Sequence, residues 1–233
     1  MLFDYTYKAA IPQCVMPDAK LALFSAKRML PEYVFDTSQL ENNPITFPEV
    51  QTLLDGITIG GHKISDVEQV LNIKDAWHLI LEVVKTNTFI VSKDMFHSIN
   101  SIIARGEALE WGKFRTGRVG IAGTKTYTAP LYSELDNIFD RELPIILAHK
   151  NEVEQAIHLF LWAALNQFYW DGNKRTARLM ANGILIKAGY GVLNISAKNI
   201  LEFNTLMVDF YETRQANSML AFLAEKCVRY IEK

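Results

Sequence analysis

Cysteine is nearly absent from this chain of 233 residues. Its two copies, Cys14 and Cys227, lie far apart with no Cys or His at metal-ligand spacing, which argues against a zinc site and a disulfide framework. A reducing compartment fits best. Long hydrophobic runs are missing too: the longest near-apolar stretch, 156–165, is interrupted by His158 and falls well short of the roughly 20 residues that a membrane span needs. The first residues, Met-Leu-Phe-Asp-Tyr-Thr-Tyr-Lys, lack a basic region followed by an apolar run. The sequence therefore reads as a soluble, cytoplasmic protein. Neither charge sign is in surplus, since the net charge is −2, so no electrostatic footprint for nucleic acid or an anionic membrane is present. Repeats, low-complexity tracts and Pro/Gly linkers are also lacking. What remains is a chain that is 49% hydrophobic, enough for one large core or two modest ones.

Helical periodicity dominates it. Apolar residues recur at helical spacing over 19–30, at Val70, Ile73, Trp77, Ile80, Leu81 and Val84, and at Phe96, Ile99, Ile102 and Ile103. Further helices are expected over 152–166 with Asn151 as N-cap, 174–188 stopped by Gly189, 197–213 and 217–231. Strand character is confined to 118–128, where Val119, Ile121, Thr126 and Tyr127 flank Gly123-Thr124-Lys125 as in a short hairpin. The glycine-containing stretch 53–62 reads as a loop. The expected fold class is all-α with a small β-hairpin.

Chemistry concentrates in Gln167-Phe168-Tyr169-Trp170-Asp171-Gly172-Asn173-Lys174-Arg175-Thr176-Ala177-Arg178. Asp171-Gly172-Asn173 is a turn signal, and the helix that follows would point its free N–H groups and positive dipole end at whatever the turn exposes. Arg175 and Arg178, three apart, share a helix face and suit one polyphosphate; Asp171 beside them suits a divalent cation. Taken alone, the residues fit equally an Asp-Gly turn before a surface helix with solvated arginines.

The segment resembles the signature of the Fic (Fido-fold) family, His-x-Phe-x-[Asp/Glu]-Gly-Asn-[Gly/Lys]-Arg-x-x-Arg. It matches at Asp171, Gly172, Asn173, Lys174, Arg175 and Arg178. It departs at Gln167, where the pattern has its catalytic His, and at Tyr169, which replaces Phe. The resemblance extends over nearly the whole chain and implies a mainly helical Fido fold, with an N-terminal helical part over 1–92 and a core over 93–233. It implies that 118–130 is a flap whose Thr124, Lys125, Thr126 and Tyr127 pair with an extended protein segment to be modified. Thr37-Ser38-Gln39-Leu40-Glu41-Asn42 is similar to the inhibitory motif of some members, which implies that Glu41 pairs with Arg178 and opposes a triphosphate.

By the same resemblance the activity is transfer of AMP from ATP to a protein hydroxyl, with ATP and Mg²⁺ as cofactors. Asp171 is implied for Mg²⁺, Gly172 and Asn173 for the α-phosphate region, Arg175 for the β-phosphate and Arg178 for the γ-phosphate, with Lys174 adding charge. Gln167 cannot take up a proton at neutral pH, so impaired transfer is expected. The alternatives are a non-catalytic nucleotide-binding regulatory module and, less favoured, a hydrolase that removes AMP. Partners are a protein docking on the flap, with no nucleic acid and no membrane; a homo-oligomer is left open. His62, His78, His97 and His149 show no catalytic partners in sequence, and His158 reads as a packed or surface residue.

Overall fold

The computed structural model of the protein describes residues 2–231. Among them ten α-helices follow one another: α1 (Ala19–Arg28), α2 (Leu30–Leu40), α3 (Phe47–Leu54), α4 (Ile64–Lys85), α5 (Lys93–Ile103), α6 (Leu135–Leu147), α7 (Glu152–Asn166), α8 (Asn173–Ala188), α9 (Ile200–Thr213) and α10 (Asn217–Phe222). Two short strands, β1 (Gly191–Leu193) and β2 (Val228–Tyr230), pair antiparallel with Val192 opposite Arg229.

The centre is the pair α7 and α8, which pack on each other more extensively than any other two elements. Asn151 starts α7 by accepting from the N–H groups of Val153 and Glu154, a cap whose loss costs about 1 kcal/mol. Beyond its first turn α7 is apolar almost all round, which suits a helix buried on every side, and Trp162, Phe160 and Leu161 are fully enclosed. Helix α8 is buried as completely but is far more polar, carrying Arg175, Thr176, Arg178 and Asn182 inward. Such a helix belongs in a core only if those groups find partners there. Helices α1, α4 and α5 all pack on α8. Gly183 lets α4's exit approach closely, since a Cβ there would lie 2.2 Å from the Phe89 ring.

Two expectations are corrected. No strand forms over 118–128; that stretch runs over the surface, and the backbone N–H groups of Lys125 and Thr126 donate to the Glu212 carboxylate on α9 instead of to a partner strand. The helix expected over 217–231 stops at Phe222, widens into a π-type turn at Leu223–Cys227 and ends as β2. Gly191 makes that pairing fit, because a Cβ there would sit 2.0 Å from the Arg229 carbonyl. The other helices stand where periodicity placed them, with α2, α3 and α6 added.

No helix among the described residues is long and apolar enough to cross a membrane.

Candidate functional site

The turn between α7 and α8 is built from within. Gln167 ends α7 in the left-handed conformation, φ 47° and ψ 59°, and Gly172 opens α8 with φ 72°. A side chain at 172 would be strained by that φ and would bring a Cβ within 2.9 Å of Ile103. Between them Asn173 acts as a clamp: its Oδ1 accepts from the Tyr169 N–H at 2.8 Å, and its Nδ2 donates to the Tyr169 carbonyl at 2.9 Å and to Gln167 Oε1 at 3.1 Å. Gln167 Nε2 in turn donates to the Ala164 carbonyl at 2.7 Å. Both ends of the Gln167 amide are thus committed to the turn. Behind it, buried Asn100 of α5 donates to the Asp171 carbonyl at 3.0 Å and accepts from the Gly112 N–H at 2.9 Å.

This turn and the N-terminus of α8 open on a cavity of about 290 Å³. Glu41, Gln167, Trp170, Asp171, Lys174 and Arg175 line it, with Ile121 from the 118–130 segment and Tyr211 from α9 closing the far side. Three regions of the chain place carboxylates on one cation here. Arg175, 2% exposed, has its Nε 3.5 Å from Glu41, its Nη1 2.9 Å from Glu107 and its Nη2 3.3 Å from Asp171. Burial pulls the Arg175 pKa down, but the carboxylates, Glu41 foremost, outweigh it and raise it overall. Arg178 shows the opposite balance. Burial lowers it to about 10, Glu41 offsets part of that, and Arg175 adds to the lowering.

Glu41 was expected beside Arg178, and its ion pair is with Arg175. Helix α2 ends at Glu41, which leaves the carboxylate at the cavity wall, whereas Arg178 points from the second turn of α8 into the interior; its Nη2 has no hydrogen-bond partner among the described residues. Asp171 is half exposed, and its Oδ1 accepts from the Gly172 N–H at 2.5 Å. The described residues contain no cluster of three or more metal-ligating side chains. A divalent ion at Asp171 fits only if a ligand such as phosphate supplies further oxygens, which is the usual coordination of Mg²⁺.

The segment expected to form a flap, 118–130, is anchored rather than free. Besides the two N–H groups, the Thr126 hydroxyl donates to Glu212, Thr124 Oγ1 donates to the Ile121 carbonyl at 2.7 Å, and the Tyr127 hydroxyl donates to the Leu165 carbonyl. Tyr127 stacks obliquely on Tyr211 with centroids 5.1 Å apart, and burial raises both phenol pKa values. Of the histidines, His97 lies under the turn, its Nδ1 3.0 Å from the Tyr169 hydroxyl, and His158 is packed in the core as expected. Glu107, Asn100, Arg115 and Glu212 were not singled out from the sequence. Nothing local marks them, because each acts on a segment dozens of residues away.

A mainly helical Fido fold is what this arrangement defines. It superposes on a Fic-domain-containing signaling protein of Bacteroides thetaiotaomicron with a TM-score of 0.70 at 18% identity, over 82% of this chain and 75% of that one. Fic-1 of C. elegans gives 0.70 at 18% identity, over 87% and 62%. Residues 90–185 match the sequence model of the Fic/DOC family. Among curated relatives, the protein adenylyltransferase Fic of Aedes aegypti is 25% identical over 183 residues, 74% of this chain and 36% of that protein. Its namesake in Drosophila ananassae is 24% identical over 68% of this chain and 32% of the relative. The chain therefore spans about a third of the length of these curated relatives.

Proposed function

We propose that the cavity binds the phosphates of ATP and that the chain transfers AMP to a protein hydroxyl, slowly, for want of a proton acceptor at position 167. The observation that carries this reading is the start of α8. Its free N–H groups, Lys174 and Arg175 face one cavity, with Asp171 beside them and, behind, the buried Arg178, whose Nη2 has no hydrogen-bond partner among the described residues. At about 290 Å³ the space is at the small end for a ligand site and suits a phosphate chain better than a whole nucleotide, so binding requires some opening. Glu41 stands where it would repel a triphosphate, which makes it an inhibitory residue on this reading. Asp171 would hold Mg²⁺, which would neutralise phosphate charge when bound. The flap, with Thr124, Lys125, Thr126 and Tyr127, would meet the protein partner.

A second reading, a non-catalytic nucleotide-binding regulatory module, is favoured by the state of Gln167. Its amide already bonds Asn173 and Ala164, and a carboxamide takes up no proton at neutral pH. Removal of AMP by a water aligned on Glu41 is the third and least supported. Labelled ATP with Mg²⁺ separates them. On the first reading the natural chain labels itself or an added protein slowly, and Gln167→His raises the rate by about 10²–10⁴, the usual contribution of a general base. On the second, label appears only with His restored. Labelling by Glu41→Gly alone sinks the module reading, and failure of every variant to bind ATP in calorimetry removes the nucleotide site itself.

A further inference from the structure

We infer that Arg115 is a positioning residue that mounts the flap on the signature turn. It is 2% exposed, and among the described residues no carboxylate pairs with it. A guanidinium buried without a counter-ion is costly unless its donors are satisfied. Here three main-chain carbonyls satisfy them: Nε donates to Gln167 at 2.6 Å, Nη1 to Gly117 at 2.6 Å and Nη2 to Pro130 at 2.7 Å. Residues 117 and 130 are the two roots of the flap, and 167 is the residue at the catalytic position. The N–H of Arg115 adds a fourth tie, to the Phe168 carbonyl at 2.9 Å.

One planar fork therefore sets the distance between both flap roots and residue 167. Lysine cannot reproduce it, because its donors radiate from a single atom. All the acceptors are backbone, so the mount is indifferent to the side chain at 167 and survives Gln167→His. If the chain transfers AMP as proposed above, Arg115 governs how the acceptor hydroxyl is presented and leaves the nucleotide phosphates alone.

Hydrogen exchange on the full chain tests the mount without activity. Arg115→Lys and Arg115→Met should each speed exchange across 117–130 by about tenfold or more while the amides of α7 and α8 stay within about twofold. Equal acceleration in α7 and α8, or an unchanged flap, overturns the proposal. Should neither variant fold, the natural chain decides: the amides at 117 and 131, flanking the tied carbonyls, should open together with those at 167–168, and independent, faster opening of the flap roots overturns it. In the Gln167→His background, Arg115→Lys should raise the acceptor KM or lower kcat with ATP affinity unchanged. Loss of ATP binding in all variants would instead count against the nucleotide reading and leave the exchange result standing.

Discussion

At Arg178 the protein keeps a guanidinium 4% exposed, with one nitrogen unpartnered among the described residues and a pKa lowered to about 10. A buried charge so placed weakens the fold, and an apolar side chain of similar length is often neutral or stabilising in its place. Arg178→Met should therefore leave the melting temperature unchanged or raise it by about 2–4 °C, the shift expected for 1 kcal/mol at this chain length. On the proposed function it should weaken ATP affinity by about tenfold or more. Differential scanning calorimetry and titration calorimetry read the two effects separately. A fall of more than about 5 °C with unchanged affinity would make Arg178 a structural residue, because a group conserving stability at a phosphate's expense cannot be the one waiting for phosphate.

Among the elements, α7 and α8 were legible because their signals are local: Asn151 caps one, Gly189 ends the other, and apolar spacing fills both. Helix α3 also carries a readable start, the capping box of Thr46 with Glu49 and Pro48 in the first turn, but at eight residues it is too short for apolar periodicity to mark. Helix α6 was masked by Pro144 inside it. The strands and the flap depended on long-range partners, Cys227 to Tyr230 on one side and Glu212 on the other, and no spacing rule sees those. The same limit hid what α7 does with His158. That ring lies 4.5 Å from Tyr5, 5.5 Å from Phe3 and 4.4 Å from His149, so it fastens the N-terminal segment to the central helix.

Burial, with smaller contributions from His149 and Lys8, lowers His158 to about 3. Glu154 also faces the cluster, 3.7 Å from His149 and accepting from the Ala9 N–H. The folded state thus refuses a proton that the unfolded chain accepts below about 6.5. Stability from this group is complete above pH 6.5, falls as pH drops toward 3, and between 6.5 and 5 the loss is about 2 kcal/mol. Denaturant midpoints measured over that window should decline in the natural chain and flatten in His158→Phe. Superimposable profiles would show that His158 takes up its proton without disturbing the fold.

Across the whole molecule, α2, the segment after α5 and the turn before α8 meet at Arg175, through Glu41, Glu107 and Asp171. Glu107 is itself held by Gln69 of α4 at 3.0 Å, so four parts of the fold converge on one cation. This changes what removing Glu41 can achieve. With Glu41 gone, Arg175 still has Glu107 at 2.9 Å, and a phosphate must compete with that shorter pair. On the proposed function, Glu41→Gly alone should tighten ATP binding modestly, by about tenfold or less, and adding Glu107→Gln should gain roughly a further tenfold. The double variant pays in stability, since removing partners from a buried cation costs about 3–5 kcal/mol when nothing replaces them, and saturating ATP should return much of that loss as a larger thermal shift. Titration of the natural chain, both single variants and the double variant decides the point. If the double binds ATP no more tightly than Glu41→Gly, then Glu107 is a structural partner only and does not compete with phosphate for Arg175.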